Sequence, residues 1–225
     1  MKICILPGLD GTGLLLTQVE AVLARENAVS LIRYPTDIYR YDSLLKWVED
    51  AVPDEDFIVV AESFSGPLAI MLASQKPRGL RGVVFVATFA RSPIRLPSKF
   101  ARIARVLPVR STFLTWLIQP LLMGQWSSKA FSQQFRRALR LVPAKTIAGR
   151  LEEVLKVDVR EHLQKLPSPF IYLQATRDRL IPSKISRDFD FAPDTIFKIN
   201  GPHFLLQSKA DTAAACISTF IAHLD

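Results

Sequence analysis

The chain has 225 residues, 49% of them hydrophobic, and a formal net charge of +8. That length supports one substantial core and excludes a pair of ordinary domains. Two distant cysteines, Cys4 and Cys216, and three scattered histidines give neither a disulfide framework nor metal-ligand spacing, so no metal or other cofactor is expected.

Met1 leads directly into an apolar strand, Ile3–Leu6, with no signal-peptide pattern, which sets the expectation of a cytoplasmic protein with free thiols. The strand opens into Leu6-Pro7-Gly8-Leu9-Asp10-Gly11-Thr12-Gly13. Glycines at this density build a loop that can aim backbone N–H groups at a ligand. Their spacing, and the lack of a following Lys-Ser or Lys-Thr pair, speak against a nucleotide-phosphate loop. A helix over Leu14–Arg25, a strand over Val29–Arg33 and a helix over Ser43–Ala51 follow. The strand Phe57–Ala61 then enters Glu62-Ser63-Phe64-Ser65-Gly66, and a helix over Pro67–Gln75 follows at once. This matches the strand–turn–helix written G-x-S-x-G, with Ala61 and Ser65 in the two glycine positions. Its chemistry is geometric: a strained turn lifts the serine hydroxyl clear of the sheet, and the helix N-terminus favours negative charge beside it. An ordinary serine in a strand-to-helix turn is the plain alternative.

After the strand Gly82–Ala87 the alternation breaks, and about eighty residues pass before the next strand, Phe170–Gln174. From Arg91 to Arg150 this interval holds twelve Lys or Arg and no Asp or Glu, whereas the rest of the chain carries 17 basic and 21 acidic residues. It also contains the uncharged run Ser111–Ser128. Gln119, Pro120, Gly124 and Gln125 interrupt that run, so an amphipathic lid over about 91–150 is expected rather than a membrane span. A helical stretch, Val157–Leu166, carries His162, with Asp158 as its expected N-cap. The strand Phe170–Gln174 ends in a loop bearing Asp178, which either orients a histidine or pairs with Arg177 or Arg179. A helix over Ser183–Phe189 and a strand over Thr195–Ile199 lead to Asn200-Gly201-Pro202-His203-Phe204, and a helix over Lys209–Leu224 closes the chain.

Continuous apolar strands alternating with helices specify an α/β protein. The expected form is one domain, a mostly parallel sheet of about six strands with helices on both faces. Ser63, Asp178 and His203 each follow a strand end, in the order Ser–Asp–His, so one rim of the sheet gathers them. His162 and His223 are expected in solvent, and Asp190 and Asp194 sit at the wrong end of a strand.

On these residues the chain resembles the α/β-hydrolase superfamily over nearly its full length. The Leu-Pro-Gly-Leu-Asp-Gly-Thr-Gly start and the Ala-Glu-Ser-Phe-Ser-Gly turn are similar to a bacterial subgroup of small serine esterase-like proteins. Pro7-Gly8 stands where His-Gly is usual. The resemblance implies Ser63 as nucleophile, His203 as general base and Asp178 as the orienting acid. In such a hydrolase the glycine loop supplies one oxyanion donor, Leu9 first and Asp10 second, and Phe64 supplies the other. Asp10, Trp116, Leu117 and Leu121 are candidates to touch substrate, alongside Phe113, Leu114, Leu122 and Trp126; plain packing is the alternative for each.

The expected activity is a carboxylesterase on short or medium acyl esters. The basic interval is a solvated face, a dock for an anionic lipid surface, or a dock for an acidic carrier protein. Phe135-Arg136-Arg137-Ala138-Leu139-Arg140 suits the last, and the region resembles the lid of the carrier-protein methyl esterase of biotin synthesis. A carrier-protein esterase or thioesterase is therefore the second reading, and a non-catalytic receptor or scaffold on the same fold the third. No nucleic-acid motif accompanies the charge, so nucleic acid is not an expected partner.

Overall fold

A computed structural model describes residues 1–94, 119, 121–191 and 195–224. Trp116 and Leu117, with Phe113, Leu114 and Asp194, lie outside the described residues. The elements run β1 (Lys2–Leu6), α1 (Thr17–Leu23), β2 (Ala28–Leu31), α2 (Tyr41–Ala51), β3 (Phe57–Glu62), α3 (Ser65–Ser74) and β4 (Leu80–Val86). The chain continues through α4 (Lys129–Leu141), α5 (Ala144–Lys156), α6 (Arg160–Gln164), β5 (Phe170–Ala175), β6 (Ile196–Ile199), α7 (Leu205–Ser208) and α8 (Ala210–Ala222).

The six strands form one sheet in the order β2-β1-β3-β4-β5-β6, every pair parallel. All six expected strands are present. Central strands such as β3, FIVVAE and buried throughout, read as nearly unbroken apolar runs because helices cover both faces, whereas the edge strands β2 and β6 are only partly buried. Phe57, Val59 and Ala61 of β3 pack into one core with Leu44 of α2, Leu68 of α3 and Leu163 of α6. Ile58 and Val60 pack into a second core with Val19 of α1 and Ile217 of α8. The connection after β1 runs outward to β2, and the next one returns past β1 to β3. A crevice therefore opens at the carboxyl ends of β1 and β3, where the winding reverses.

Several local expectations change. The expected helix over Ser183–Phe189 is present and is of the tighter 3₁₀ form. The expected helix Val157–Leu166 shrinks to α6 because the chain before it is held extended: Val159 N–H donates to Ala90 O at 2.7 Å, and Val157 O accepts from Ser92 N–H at 2.9 Å. Val159, not Asp158, is the N-cap of α6, although Asp158 still accepts from Arg160 N–H at 3.3 Å. Cys4 is buried, its thiol pushed up to about 11 by burial, and Cys216 is partly buried; both are free thiols. Among the described residues no helix is long and apolar enough to cross a membrane.

Candidate active site

Ser63 sits between β3 and α3 with a φ of +52°, a left-handed conformation costly for a residue with a side chain. The surroundings enforce it. Its N–H bonds Val86 O at 3.0 Å, and its carbonyl accepts from Gly66 N–H at 3.1 Å and from the Thr88 hydroxyl. Gly66 lies so close to Thr88 that any Cβ there would overlap the threonine side chain. Position 65, where the usual pattern has glycine, takes a different role here. Ser65 is fully buried; its hydroxyl donates to Pro7 O and accepts from Tyr34 Oη at 2.5 Å. The serine thus ties the turn to the glycine loop after β1.

The structure brings together the three residues read from separate strand ends. Ser63 Oγ lies 2.9 Å from His203 Nε2, and His203 Nδ1 lies 2.8 Å from Asp178 Oδ2. Asp178 Oδ1 accepts from the N–H groups of Leu180 and Ile181, each at 2.8 Å. Asp178 is therefore fixed toward His203 and away from the flanking arginines. The loops carrying the two residues are stitched to each other, with Arg177 N–H donating to Gly201 O at 3.0 Å. His203 is 2% exposed. Burial opposes its charged form, but the Asp178 charge, the Asp178 hydrogen bond and the charge of Glu62 outweigh it and raise the imidazole above its usual value. His162 and His223 take no part: one is exposed on α6, and the other bonds Thr219 O.

The glycine loop faces this cluster, since β1 and β3 are paired up to Leu6 and Ala61. Gly11 N–H closes a turn onto Gly8 O at 3.0 Å, so neither the Leu9 nor the Phe64 N–H is consumed by the turn bonds around it. Asp10 is buried and binds Thr12 through its N–H at 2.9 Å and its hydroxyl. Burial raises the Asp10 pKa, against the pull of the Thr12 bonds and of Arg150.

Two residues escaped the sequence reading. Arg150, counted there within a basic surface, has zero exposure and lies behind the glycine loop. Glu62, next to Ser63, is 1% exposed and accepts from Gln207 Nε2 at 2.9 Å, while Glu62 Oε1 and Gln207 Oε1 lack partners among the described residues. Burial pushes the Glu62 carboxyl up to about 7, opposed by the Gln207 bond and the nearby His203. The charge of Glu62 was visible in sequence, but a strand-end carboxylate carries no sign of burial.

A cavity of about 270 Å³ opens over Ser63 and His203. Leu9, Phe89, Phe135, Leu151 and Ile181 are among its walls, and Ser63, His203 and Asp10 also line it. Of the apolar residues expected there, Leu122 lines the cavity, whereas Leu121 is 39% exposed and Trp126 is not among the walls. Among the described residues no group of three or more His, Cys, Asp or Glu could hold a metal ion.

A family model described as alpha/beta hydrolase fold matches residues 32–209. No curated protein sequence matches the chain. Among solved structures, a hydrolase from Oleispira antarctica superposes with a TM-score of 0.84 at 12% identity, covering 98% of this chain and 90% of that one. The enol-lactonase of Burkholderia xenovorans gives 0.84 at 15% identity, over 98% and 91%. A thermophilic esterase from Thermogutta terrifontis gives 0.83 at 13%, over 100% and 90%. Likeness at such identities is a likeness of fold.

Proposed function

The chain belongs to the α/β-hydrolase fold family, and from that membership we propose that it is a serine carboxylic-ester hydrolase acting on short or medium acyl esters. The observation that carries this reading is the continuous hydrogen-bond relay from Ser63 Oγ through His203 to Asp178 at the floor of an apolar cavity. Ser63 attacks the ester carbonyl as His203 Nε2 takes its proton. Asp178 holds the Nδ1–H tautomer and stabilises the imidazolium. The oxyanion of the tetrahedral intermediate is met by the Leu9 and Phe64 N–H groups, each worth about 3 kcal/mol in the transition state. His203 passes its proton to the departing alcohol, leaving an acyl-serine. A water, deprotonated by His203, then releases the acid and restores Ser63. The cavity walls suit an uncharged acyl chain, since its polar groups cluster at the reacting end.

The test is hydrolysis of p-nitrophenyl esters from acetate to palmitate by the wild type and by Ser63→Ala. Turnover that falls by roughly 10⁴-fold or more in the variant, with the fold intact by circular dichroism, is the expected result. Full activity in Ser63→Ala would remove the serine from the mechanism. A second reading, hydrolysis of an ester or thioester borne by an acidic carrier, is favoured by one feature. Helix α4 lines the cavity with Phe135 and Leu139 and exposes Arg136 and Arg137 on its other side.

A further inference from the structure

Arg150 is the largest fully buried side chain among the described residues, and it comes from α5, far along the chain from the loop it touches. Its guanidinium has five N–H bonds, and each one meets a main-chain carbonyl. Nη1 donates to Leu9 O at 2.9 Å and to Asp10 O at 2.8 Å. Nη2 donates to Pro35 O and Ile38 O, both at 2.9 Å, and Nε to Ile38 O at 3.2 Å. No carboxylate makes an ion pair with it among the described residues; its face lies 5.5 Å from the Tyr34 ring and 6.0 Å from the Phe64 ring. A Cβ on Gly11, whose φ is +70°, would stand 2.5 Å from Nη1.

We propose that Arg150 is the positioning residue of the oxyanion hole, acting through the Leu9 and Asp10 carbonyls to fix the turn that presents the Leu9 N–H. The inference rests on the hydrolase reading above. A trans peptide is planar, so its carbonyl and its N–H point in opposite directions, and pinning one aims the other. Gly11 N–H pins the Gly8 carbonyl, which turns the Leu9 N–H outward. Arg150 pins the next two carbonyls; holding Asp10 O sets the Gly11 N–H of the same peptide, the donor that fixes Gly8 O and through it the Leu9 N–H. Among the described residues no carboxylate is in ion-pair contact with this buried charge, although the Asp10 carboxyl lies near enough to act on it electrostatically, and such a charge is expensive to bury unless every donor is satisfied. Two satisfied donors on the glycine loop and three on the segment after β2 tie these two loops together and make Arg150 a rigid mount. Lysine cannot replace it: an ammonium has three donors on a point charge, and the planar fork is lost.

Arg150→Lys and Arg150→Ala are compared with wild type for p-nitrophenyl ester hydrolysis, thermal midpoint, and inhibition by an alkyl trifluoromethyl ketone, whose adduct with Ser63 is a tetrahedral oxyanion. Both variants should lose kcat, by roughly 10- to 100-fold, up to the roughly 100-fold lower bound for a lost oxyanion donor, because the donor is misaimed rather than removed. KM should stay within about threefold, and trifluoromethyl ketone affinity should fall in step with kcat. Ethylguanidinium at low millimolar concentration should restore part of kcat in Arg150→Ala. A folded variant with wild-type kcat, or a loss confined to KM, overturns the proposal. So does a pair of variants that does not fold even with ethylguanidinium present, which would make Arg150 a residue of the fold alone. If the wild type hydrolyses no ester, the parent reading has failed instead. The rate of covalent labelling by an alkyl fluorophosphonate, whose phosphoryl oxygen enters the same hole, then decides on Arg150: slower labelling of the variants supports it and an equal rate overturns it.

Discussion

Ser63 shows how much of the site rests on single side chains. Its positive φ is held by the Thr88 hydroxyl and by the absence of a Cβ at Gly66. The motif announced the serine, whereas Thr88 lies on another strand end and carries no signal of its own. His203 gives the sharpest consequence at this scale. As the proposed general base it must be neutral to act, and Asp178 and Glu62 together raise its pKa despite burial. The activity should therefore rise with pH through a limb above 6.5, the ordinary value. The same shift means the folded chain holds that proton more tightly than the unfolded one; the stabilisation is complete below 6.5 and is lost as pH climbs through the folded pKa. Glu62→Gln removes one of the raising charges and should move the limb of kcat/KM downward. Asp178→Asn should cost roughly 10⁴-fold by leaving the wrong tautomer. A kcat/KM profile from pH 5 to 9 checks both; a wild-type limb below 6.5, or one unmoved in Glu62→Gln, contradicts the assignment.

At the scale of elements, helix α5 performs two tasks on adjacent faces. Ile147, Leu151 and Val154 recur at helical spacing and wall the cavity, while Arg150 reaches the glycine loop. Adding bulk on the first face should shorten the acceptable acyl chain. Leu151→Trp is expected to lower kcat/KM at least tenfold for the longest good ester and to spare acetate, since one methylene in an apolar pocket is worth about 1–3 kcal/mol. The p-nitrophenyl series measures this, and an unshifted chain-length profile would take Leu151 out of the acyl path. Such elements differ in how far sequence exposes them. The central strands were legible because burial on both faces leaves nearly unbroken apolar runs, and the edge strands β2 and β6, only partly buried, because short β-branched segments lie between helical stretches. Pro143 and Val157, at the two ends of α5, do not advertise the face on which Arg150 sits. The choice between Leu121 and Leu122 is one residue of helical register, which an apolar doublet leaves open. The extended chain before α6 was missed because its bonds go to Ala90 and Ser92, some seventy residues earlier.

At the scale of the molecule, the positive excess divides into different kinds of charge. Arg91 pairs with Asp188 at 2.8 Å and Arg150 is interior, so one charge is already matched and the other lies off the surface. Lys129, Arg136 and Arg137 stay exposed on α4. Should the acyl group arrive on an acidic carrier, Arg136→Glu with Arg137→Glu would lower kcat/KM for the carrier-bound ester roughly tenfold at low salt and flatten its salt dependence. Turnover of a small p-nitrophenyl ester should not change. Equal loss on both substrates would count against docking, and unchanged turnover on both would leave the basic face as solvated surface. The interior arginine has a different legacy. Every acceptor it meets is a peptide oxygen, which no substitution at Pro35 or Ile38 deletes. A saturation library would register the contact as one intolerant column, at position 150, with Gly11 beside it. Nor could co-variation between aligned sequences detect it, because main-chain atoms offer the arginine no partner that can mutate in response.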